Sequence, residues 1–190
     1  MGYINLVELA QERAKAHLQN GMRAIDATVG NGHDTLMLAE AVGATGEVFG
    51  FDIQQTALTA TRERLSNAGL LDRVKLIKGS HADMRLPLPQ SAMNSIDLVM
   101  FNLGYLPGGD KGLITESDST ISALNAALSL LSSHGAISVI AYPGHFGGDS
   151  ECELVGGWCD GLDGEGYRVD QVILEVIKRQ PPQWFWVQKI

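Results

Sequence analysis

The sequence has few cysteines and no long apolar run, and each scarcity excludes a class of protein. Cys152 and Cys159 are the only cysteines among 190 residues, seven positions apart in a segment of helical character. That spacing suits neither a zinc knuckle nor the disulfide framework of a secreted domain, so we expect both thiols to be reduced and structural. Polar residues or glycines interrupt each apolar stretch within a few positions. The sequence therefore predicts no signal peptide and no membrane span, and the expected location is the cytoplasm.

Net positive charge is also lacking, since the formal net charge is −8. This argues against a broad electropositive surface, because nonspecific affinity for nucleic acid comes mainly from Lys and Arg that neutralise phosphates. Any contact with RNA must therefore be local. Most of the candidate basic residues are expected to form an ordinary solvated surface: Arg62, Arg64, Arg73, Lys75, Lys78, Arg85, Lys111, Lys178, Arg179 and Lys189.

What is present is enough apolar material, 45% of the residues, for the core of one globular domain over residues 1–190. Strand-like and helix-like segments alternate, which predicts an α/β fold with a parallel sheet and helices on both faces. The strands are expected at residues 22–26, 47–52, 74–78, 96–102 and 136–142. The helices are expected at residues 5–19, where an entry helix would cover the sheet or a cofactor, and at 34–42, 55–68 and 117–132.

The last third of the sequence breaks this alternation. After a helix predicted at residues 148–162, two extended segments at 167–178 and 184–190 flank the turn Gln180-Pro181-Pro182-Gln183. Two extended segments joined by a short proline-containing link predict an antiparallel hairpin at the edge of the sheet.

Three consecutive aromatic residues, Trp184, Phe185 and Trp186, open the final segment. They could form a platform on which bases stack. Consecutive strand residues point to opposite faces of a sheet, however, so at least one of the three belongs in the core, and this interpretation is favoured for Phe185.

The most informative stretch runs from Ala24 to Thr35 and reads Ala-Ile-Asp-Ala-Thr-Val-Gly-Asn-Gly-His-Asp-Thr. It predicts a strand, a glycine loop and the start of a helix, with Gly30 and Gly32 allowing the backbone to turn tightly and approach a ligand. A second apolar run ends at Asp52, 20 residues beyond Gly32. A doubly wound sheet presents a carboxylate to ribose hydroxyls at that spacing, so the pattern predicts a cofactor that contains a nucleoside.

The glycine pattern distinguishes between two such cofactors. A dinucleotide fingerprint requires a third glycine where this sequence has Thr35, which disfavours NAD. The frame acid-x-Gly-x-Gly-x-Gly, typical of S-adenosylmethionine (SAM) sites, reads here Asp26-x-Thr28-x-Gly30-x-Gly32 and departs only at Thr28. Asn31 and Asp34 could hold the zwitterionic methionine part. SAM is therefore the favoured cofactor, and a glycine-rich turn in an unrelated α/β domain is the alternative.

Polar, glycine-rich segments follow all five of the strands predicted in the alternating part of the chain. They are residues 28–34, 52–54, 79–83, 102–110 and 142–148. Each by itself is typical of an ordinary turn. Ligands of open α/β sheets bind outside the carboxyl ends of the strands, so the coincidence of five such segments at one edge predicts a functional site there.

The segment after the fourth strand begins with Asn102-x-x-Tyr105. Enzymes that methylate exocyclic amines place an Asn or Asp, two small or proline residues and an aromatic residue at this position. The side-chain carbonyl would accept a hydrogen bond from the amine and orient its lone pair, while the ring stacks on the base. Leu103-Gly104 replaces the two prolines here. The alternative is a polar turn with a packed tyrosine.

Two histidines, His81 and His145, also follow predicted strands. No further ligand lies at metal-binding spacing near either, so no metal site is expected. His81 is expected to contact the adenine of the cofactor and His145 to line the substrate pocket, with a structural hydrogen bond as the alternative for both. Methyl transfer from a sulfonium requires in-line placement and removal of one proton, so no nucleophile triad is needed.

Three motifs together, Asp26-Ala-Thr-Val-Gly-Asn-Gly-His-Asp-Thr35, Asn102-Leu-Gly-Tyr-Leu-Pro-Gly-Gly-Asp-Lys111 and Tyr142-Pro-Gly-His-Phe-Gly-Gly148, resemble the family of putative rRNA methylases. Characterised members of that family are SAM-dependent methyltransferases that convert the 5-aminomethyl group of the wobble (2-thio)uridine of tRNA to 5-methylaminomethyl. The resemblance implies the tRNA anticodon region as substrate. It also implies a Rossmann-like class I fold, with a seven-stranded, mostly parallel sheet, an antiparallel last strand and helices on both faces.

By the same resemblance, two groups of residues are expected to form the site. The SAM side would comprise the loop residues Asp26, Gly30, Asn31, Gly32 and Asp34 together with Asp52, Gln54, Ser80 and His81. The substrate side would comprise Asn102, Tyr105, Tyr142 and His145.

Other functions stay open from the residues alone. The acidic charge and the lack of an appended RNA-binding domain favour a ribosomal RNA or small-molecule methyltransferase as the second interpretation. A SAM-binding or nucleotide-binding module without catalysis would bind the cofactor and transfer no methyl group. A homodimer would supply RNA-contact area that one small acidic subunit lacks.

Overall fold

The computed structural model describes residues 5–104, 117–143, 147–173 and 181–190. Within these ranges the strands are β1 (Arg23–Asp26), β2 (Glu47–Asp52), β3 (Val74–Lys78), β4 (Ile96–Asn102), β5 (Leu131–Ala141), β6 (Tyr167–Ile173) and β7 (Gln183–Lys189). The helices are α1 (Leu6–His17), α2 (His33–Ala41), α3 (Gln55–Asn67), α4 (Ser117–Leu130) and α5 (Gly148–Asp160). Across the same ranges, no helix combines the length and apolar character needed to cross a membrane.

The seven described strands form one sheet in the order β3-β2-β1-β4-β5-β7-β6. Strands β1 to β5 pair in parallel, whereas β7 runs antiparallel to both of its neighbours. This confirms the predicted α/β fold with a reversed last strand. The predicted hairpin is also confirmed as the β6–β7 pair, although β7 lies between β5 and β6, so that β6 forms the edge. Residues 174–180, which link the two strands, lie outside the described part of the chain.

Strand β5 begins five residues earlier than the sequence pattern predicts, directly after the end of α4. Its first residue, Leu131, pairs with Ile96, and the register then shifts before the next pair. At Gly135 a Cβ atom would lie 2.7 Å from the Ile96 carbonyl oxygen, so the bulged segment needs glycine to pass close to β4. The polar residues between Leu131 and Gly135 concealed this strand, because a bulge interrupts the alternation that identifies strands in a sequence.

Each face of the sheet carries its own hydrophobic core. One core contains apolar side chains of α1, α2 and α3, and the other contains those of α4 and α5. Cys152 and Cys159 are free and buried in the α5 core, which confirms their structural role. Burial raises the pKa of their thiols to about 11 and about 12, so both stay protonated at neutral pH.

The three aromatic residues of β7 are all buried. Phe185 points into the core of α4 and α5, as predicted. Trp184 and Trp186 point to the other face, where they are 3% and 1% exposed. The Arg13 guanidinium of α1 lies 4.6 Å from the Trp186 ring centroid and covers this side. The idea of a base-stacking platform is therefore wrong, because α1 shields the face that it would need.

Candidate cofactor and substrate site

The loop after β1 connects three strand ends. The Ala27 N–H donates to the Met100 carbonyl of β4 at 2.9 Å, and the Val29 N–H donates to the Phe51 carbonyl of β2 at 3.1 Å. The chain thus crosses from one neighbour of β1 to the other within two residues. The strand order reverses at β1, and open α/β sheets bind their ligands outside the strand ends at such a position.

Two side chains of α3 donate hydrogen bonds to the backbone of the glycine loop. Thr61 donates its hydroxyl to the Gly30 carbonyl at 3.2 Å, and Arg64 Nε donates to the Asn31 carbonyl at 2.9 Å. Since C=O and N–H point in opposite directions across a trans peptide, the Asn31 N–H points away from α3. Gly32 caps α2 with φ 76°, and a Cβ atom there would lie 2.5 Å from Thr61 Oγ1. Only glycine both adopts this positive φ without strain and lacks a Cβ atom that would collide with Thr61.

Asp52 joins the end of β2 to this loop. One carboxylate oxygen accepts the Gly30 N–H at 2.9 Å, and the other accepts the Gln54 N–H at 2.8 Å. A carboxylate has about four acceptor positions, so two positions remain for hydroxyl donors on this half-buried group. Gln54 contacts Asp52 through its backbone N–H.

A cleft of about 380 Å³ opens beside the ends of β2 and β3. Its volume lies within the range, roughly 300–1,000 Å³, of small-ligand sites. Its lining combines apolar side chains with polar groups and consists of Phe51, Ile77, Lys78, Gly79, Ser80, Asp83, Leu86 and Pro87. Phe51 of this lining directly precedes Asp52, so the cleft lies beside the end of β2 that carries this carboxylate.

His81 lies beneath the loop and does not line this cleft. Its Nδ1 is 3.2 Å from the Ala27 carbonyl oxygen, and its ring packs edge-on against Phe101. Burial lowers the pKa of His81, so the ring is neutral and a proton on Nδ1 can be donated to that carbonyl. The predicted contact between His81 and adenine stays a prediction. The predicted place of Ser80 on the SAM side also stays a prediction, and its hydroxyl accepts a hydrogen bond from the Ala82 N–H.

The carboxylates of Asp34 and Asp52 lie at the loop and make it electronegative, whereas Asp26 lies within it and its pKa is near neutral. Asp26 is fully buried, and its two oxygens accept hydrogen bonds from the Thr28 N–H at 3.1 Å and the Thr35 hydroxyl at 2.6 Å. Burial and then the charge of Asp34 raise the pKa of Asp26 to about 7. In this structure Asp26 is buried within the loop and holds the Thr28 backbone and the Thr35 side chain by hydrogen bonds. The negative potential suits a ligand that carries an ammonium or sulfonium group.

The raised pKa of Asp26 predicts a pH-dependent stability. Between the ordinary value of 3.8 and about 7, the folded protein holds a proton that the unfolded chain releases. The stability from this group is therefore fully present below the lower value and lost as the pH rises towards the upper one. The Asp26→Asn variant cannot titrate at this position. The difference between its free energy of unfolding and that of the wild type should therefore rise by up to about 1.4 kcal/mol per pH unit within this window.

Urea unfolding of both proteins at several pH values between 4 and 8 measures this difference. We expect the gain to level off above pH 7. A difference that stays constant across the whole range would show that Asp26 remains ionised in the folded protein.

Gln11 of α1 belongs to the same region, although the sequence did not single it out. Its Nε2 donates to Asp34 Oδ1 at 2.6 Å. Burial and then the charge of Asp34 raise the pKa of Tyr142 to about 12. The phenol therefore stays protonated as a donor at neutral pH. The charge of Asp34, predicted for the cofactor side, thus acts on Tyr142, predicted for the substrate side.

Replacing Gln11 by leucine tests whether α1 contributes to cofactor binding. The change keeps the side-chain volume but removes the donor that fixes Asp34, so we expect the Kd for SAM to rise about tenfold. The same change at Gln19, exposed just after α1, should leave the Kd within about twofold and is the matched control. Titration calorimetry measures both. Equal affinities for the Gln11 and Gln19 variants would remove Gln11 from the site.

Asn102 ends β4 at the opposite side of the loop. Its N–H donates to Thr28 Oγ1 at 2.8 Å, and the Leu103 N–H donates to the Ile140 carbonyl at 2.8 Å. Gly104 follows with φ 139°, a value that proline cannot adopt. This explains why the sequence departs from two prolines at this point. Tyr105 and His145, both predicted for the substrate side, lie outside the described residues.

Among the described side chains, no group of three His, Cys, Asp or Glu residues is arranged to hold a metal ion. The site combines a glycine loop, the carboxylate of Asp52 at the end of β2 and an asparagine at the end of β4. A family model described as "Putative rRNA methylase" matches residues 48–188. The chain belongs to this family.

Known proteins agree with this assignment. A putative rRNA-methylase from Clostridium thermocellum, solved by crystallography, is 37% identical, with a TM-score of 0.93 and full coverage of both chains. A putative methyltransferase from Streptococcus mutans in complex with SAH is 29% identical, with a TM-score of 0.86 and full coverage of both. The fold is that of class I SAM methyltransferases, the protein is a SAM-dependent methyltransferase, and its cofactor is SAM.

A curated relative from Arabidopsis thaliana has a more specific name. This "tRNA (mnm(5)s(2)U34)-methyltransferase, chloroplastic" is 43% identical over 153 residues. The matched region covers 76% of the present chain and 55% of the relative, so the chain spans little more than half the length of that protein.

Proposed function

We propose that the protein methylates the exocyclic nitrogen of the 5-aminomethyl group of wobble (2-thio)uridine in tRNA, in the cytoplasm. The observation that carries this proposal is the fixed position of Asn102 beside the cofactor loop, where its N–H is bound to Thr28. The name of the Arabidopsis thaliana relative supports the choice of substrate.

Within this proposal SAM supplies an electrophilic methyl group on a sulfonium. The side-chain carbonyl of Asn102 accepts a hydrogen bond from the neutral amine and directs the nitrogen lone pair towards the methyl group of SAM. Tyr105 stacks on the flipped base, and Tyr142 and His145 complete its pocket. The nitrogen would form a bond to the transferred methyl carbon as the bond between that carbon and the sulfonium breaks. S-adenosylhomocysteine would then leave, and the nitrogen would lose one proton to solvent. Asp52 holds the ribose of the cofactor.

The distribution of cations agrees with a local rather than a broad contact to RNA. Arg73 donates to the Ala39 carbonyl, and Lys75 pairs with Glu47. Arg62 and Arg85 are exposed and are candidates for such a local contact to phosphates, whereas Lys78 lines the cleft. Lys111, Lys178 and Arg179 lie outside the described part of the chain. The expected homodimer stays a prediction.

Methylation of bulk tRNA tests the substrate. The purified protein is incubated with methyl-labelled SAM and tRNA from a strain that lacks the gene, and the digested nucleosides are identified by mass spectrometry. We expect label in 5-methylaminomethyl (2-thio)uridine. Label in ribosomal RNA under the same conditions, or cofactor binding without label in tRNA, would refute the tRNA assignment in favour of another acceptor.

A further inference from the structure

The hydrogen-bond ladder between β1 and β4 ends just before Asn102. The last ladder contact is the Ala27 N–H bound to the Met100 carbonyl at 2.9 Å. Alternate residues of a strand face the same neighbour, so the next β4 amide facing β1 is that of Asn102. The β1 chain has by then turned towards β2, where Val29 bonds. The carbonyl of Ala27 lies within 3.2 Å of His81 Nδ1.

A side chain supplies the acceptor at this point. Thr28 Oγ1 accepts the Asn102 N–H at 2.8 Å, and the next amide, that of Leu103, is bound to Ile140 of β5. Thr28 is fixed in turn, because its own N–H donates to the buried carboxylate of Asp26 at 3.1 Å. The backbone of Asn102 is therefore held from both neighbouring strands.

Thr28 is also the position at which the loop departs from acid-x-Gly-x-Gly-x-Gly. A glycine there has no side chain and leaves the Asn102 N–H without this acceptor. Thr28, the residue at which the sequence departs from the motif, is therefore the one whose side chain binds the end of β4.

We propose that the Thr28 hydroxyl is a positioning group for Asn102, which fixes the backbone from which the side-chain carboxamide meets the substrate amine. This inference rests on the proposed function of Asn102. The hydrogen bond that the Asn102 N–H donates to Thr28 Oγ1 fixes the backbone from which the carboxamide extends, and reactions that depend on orientation are sensitive to shifts of about 1 Å. The cofactor side of the loop, held by Thr61, Arg64 and Asp52, does not depend on this hydroxyl.

Three substitutions at Thr28 separate positioning from loop structure. Thr28→Val keeps the shape and removes the hydroxyl, Thr28→Gly restores the motif, and Thr28→Ser keeps the hydroxyl. We expect the kcat for methylation of tRNA to fall about tenfold in the Val and Gly variants, with the Kd for SAM within about twofold of wild type. Thr28→Ser should recover most of the turnover. A loss of SAM affinity at unchanged kcat would overturn the proposal.

A double variant tests whether Thr28 acts through Asn102. In the Asn102→Leu background, Thr28→Val should lower the kcat by less than about twofold, because the group that it positions is already absent. The same tenfold loss in both backgrounds would show that Thr28 acts elsewhere and would overturn the proposal.

A measurement without turnover keeps this test separate from the choice of substrate. By NMR of the protein bound to SAH, the Asn102 amide proton should exchange with solvent about tenfold faster in Thr28→Val than in wild type or Thr28→Ser. Unchanged exchange would overturn the inference. If the wild type labelled no tRNA, the proposed function would fail, and the exchange comparison would still decide the role of Thr28.

Discussion

The Asn102→Leu variant should bind SAM with an affinity within about threefold of wild type and methylate tRNA at least about 100-fold more slowly. Leucine has the same branched shape and number of heavy atoms as asparagine but has no acceptor for the amine. The lone pair of the substrate nitrogen would then have no fixed direction, and productive geometry would arise rarely. Backbone contacts to Thr28 and Ile140 do not require the side chain, so the end of β4 should keep its path.

Asn102→Asp is the matched control. A carboxylate oxygen also accepts a hydrogen bond from an amine, so this variant should retain more than about a tenth of the wild-type turnover. Single-turnover kinetics at saturating SAM measure the chemical step for all three proteins. If the leucine variant matched the wild type, Asn102 would have no part in orienting the amine.

The Gly32→Ala variant should lose SAM affinity by about 100-fold or more and unfold about 3 kcal/mol more easily than wild type. The added Cβ would lie 2.5 Å from Thr61 Oγ1 and 2.7 Å from Thr61 Cγ2, at a backbone φ of 76°. Either α3 or the loop must move. Both movements break the bond between Thr61 and the Gly30 carbonyl that shapes the loop.

Gly69→Ala separates steric conflict from backbone strain. Gly69 has nearly the same φ, 69°, but a Cβ atom there meets nothing within 4 Å. This variant should lose only about 1 kcal/mol and bind SAM normally. Adding Thr61→Ala to Gly32→Ala removes the two closest atoms and should restore part of the stability. Calorimetry and SAM titration compare the four proteins, and equal losses at Gly32 and Gly69 would contradict a steric origin.

Local patterns in the sequence were sufficient to predict the sheet and the loop. The alternation of strands and helices, the glycines at 30 and 32 and the acid at 52 are all features of short segments. A ladder of parallel strands then brings their carboxyl ends together without further information.

The contacts that complete the site could not be predicted in this way. The bond between Gln11 and Asp34 spans 23 residues and that between Thr28 and Asn102 spans 74. Their formation depends on how helices and strands pack, for which the sequence pattern has no local signal. The burial of Trp184 and Trp186 depends likewise on α1, almost a whole chain length away.

The packing of α1 against β7 has a consequence for the order in which the protein is completed during synthesis. Arg13 lies over Trp186 and pairs with Asp170 of β6, so α1 acquires these contacts only after the last strands have left the ribosome. Gln11 lies on the same helix. The helix that carries the donor to Asp34 thus gains this anchoring only when a residue 157 positions beyond Arg13 has been made.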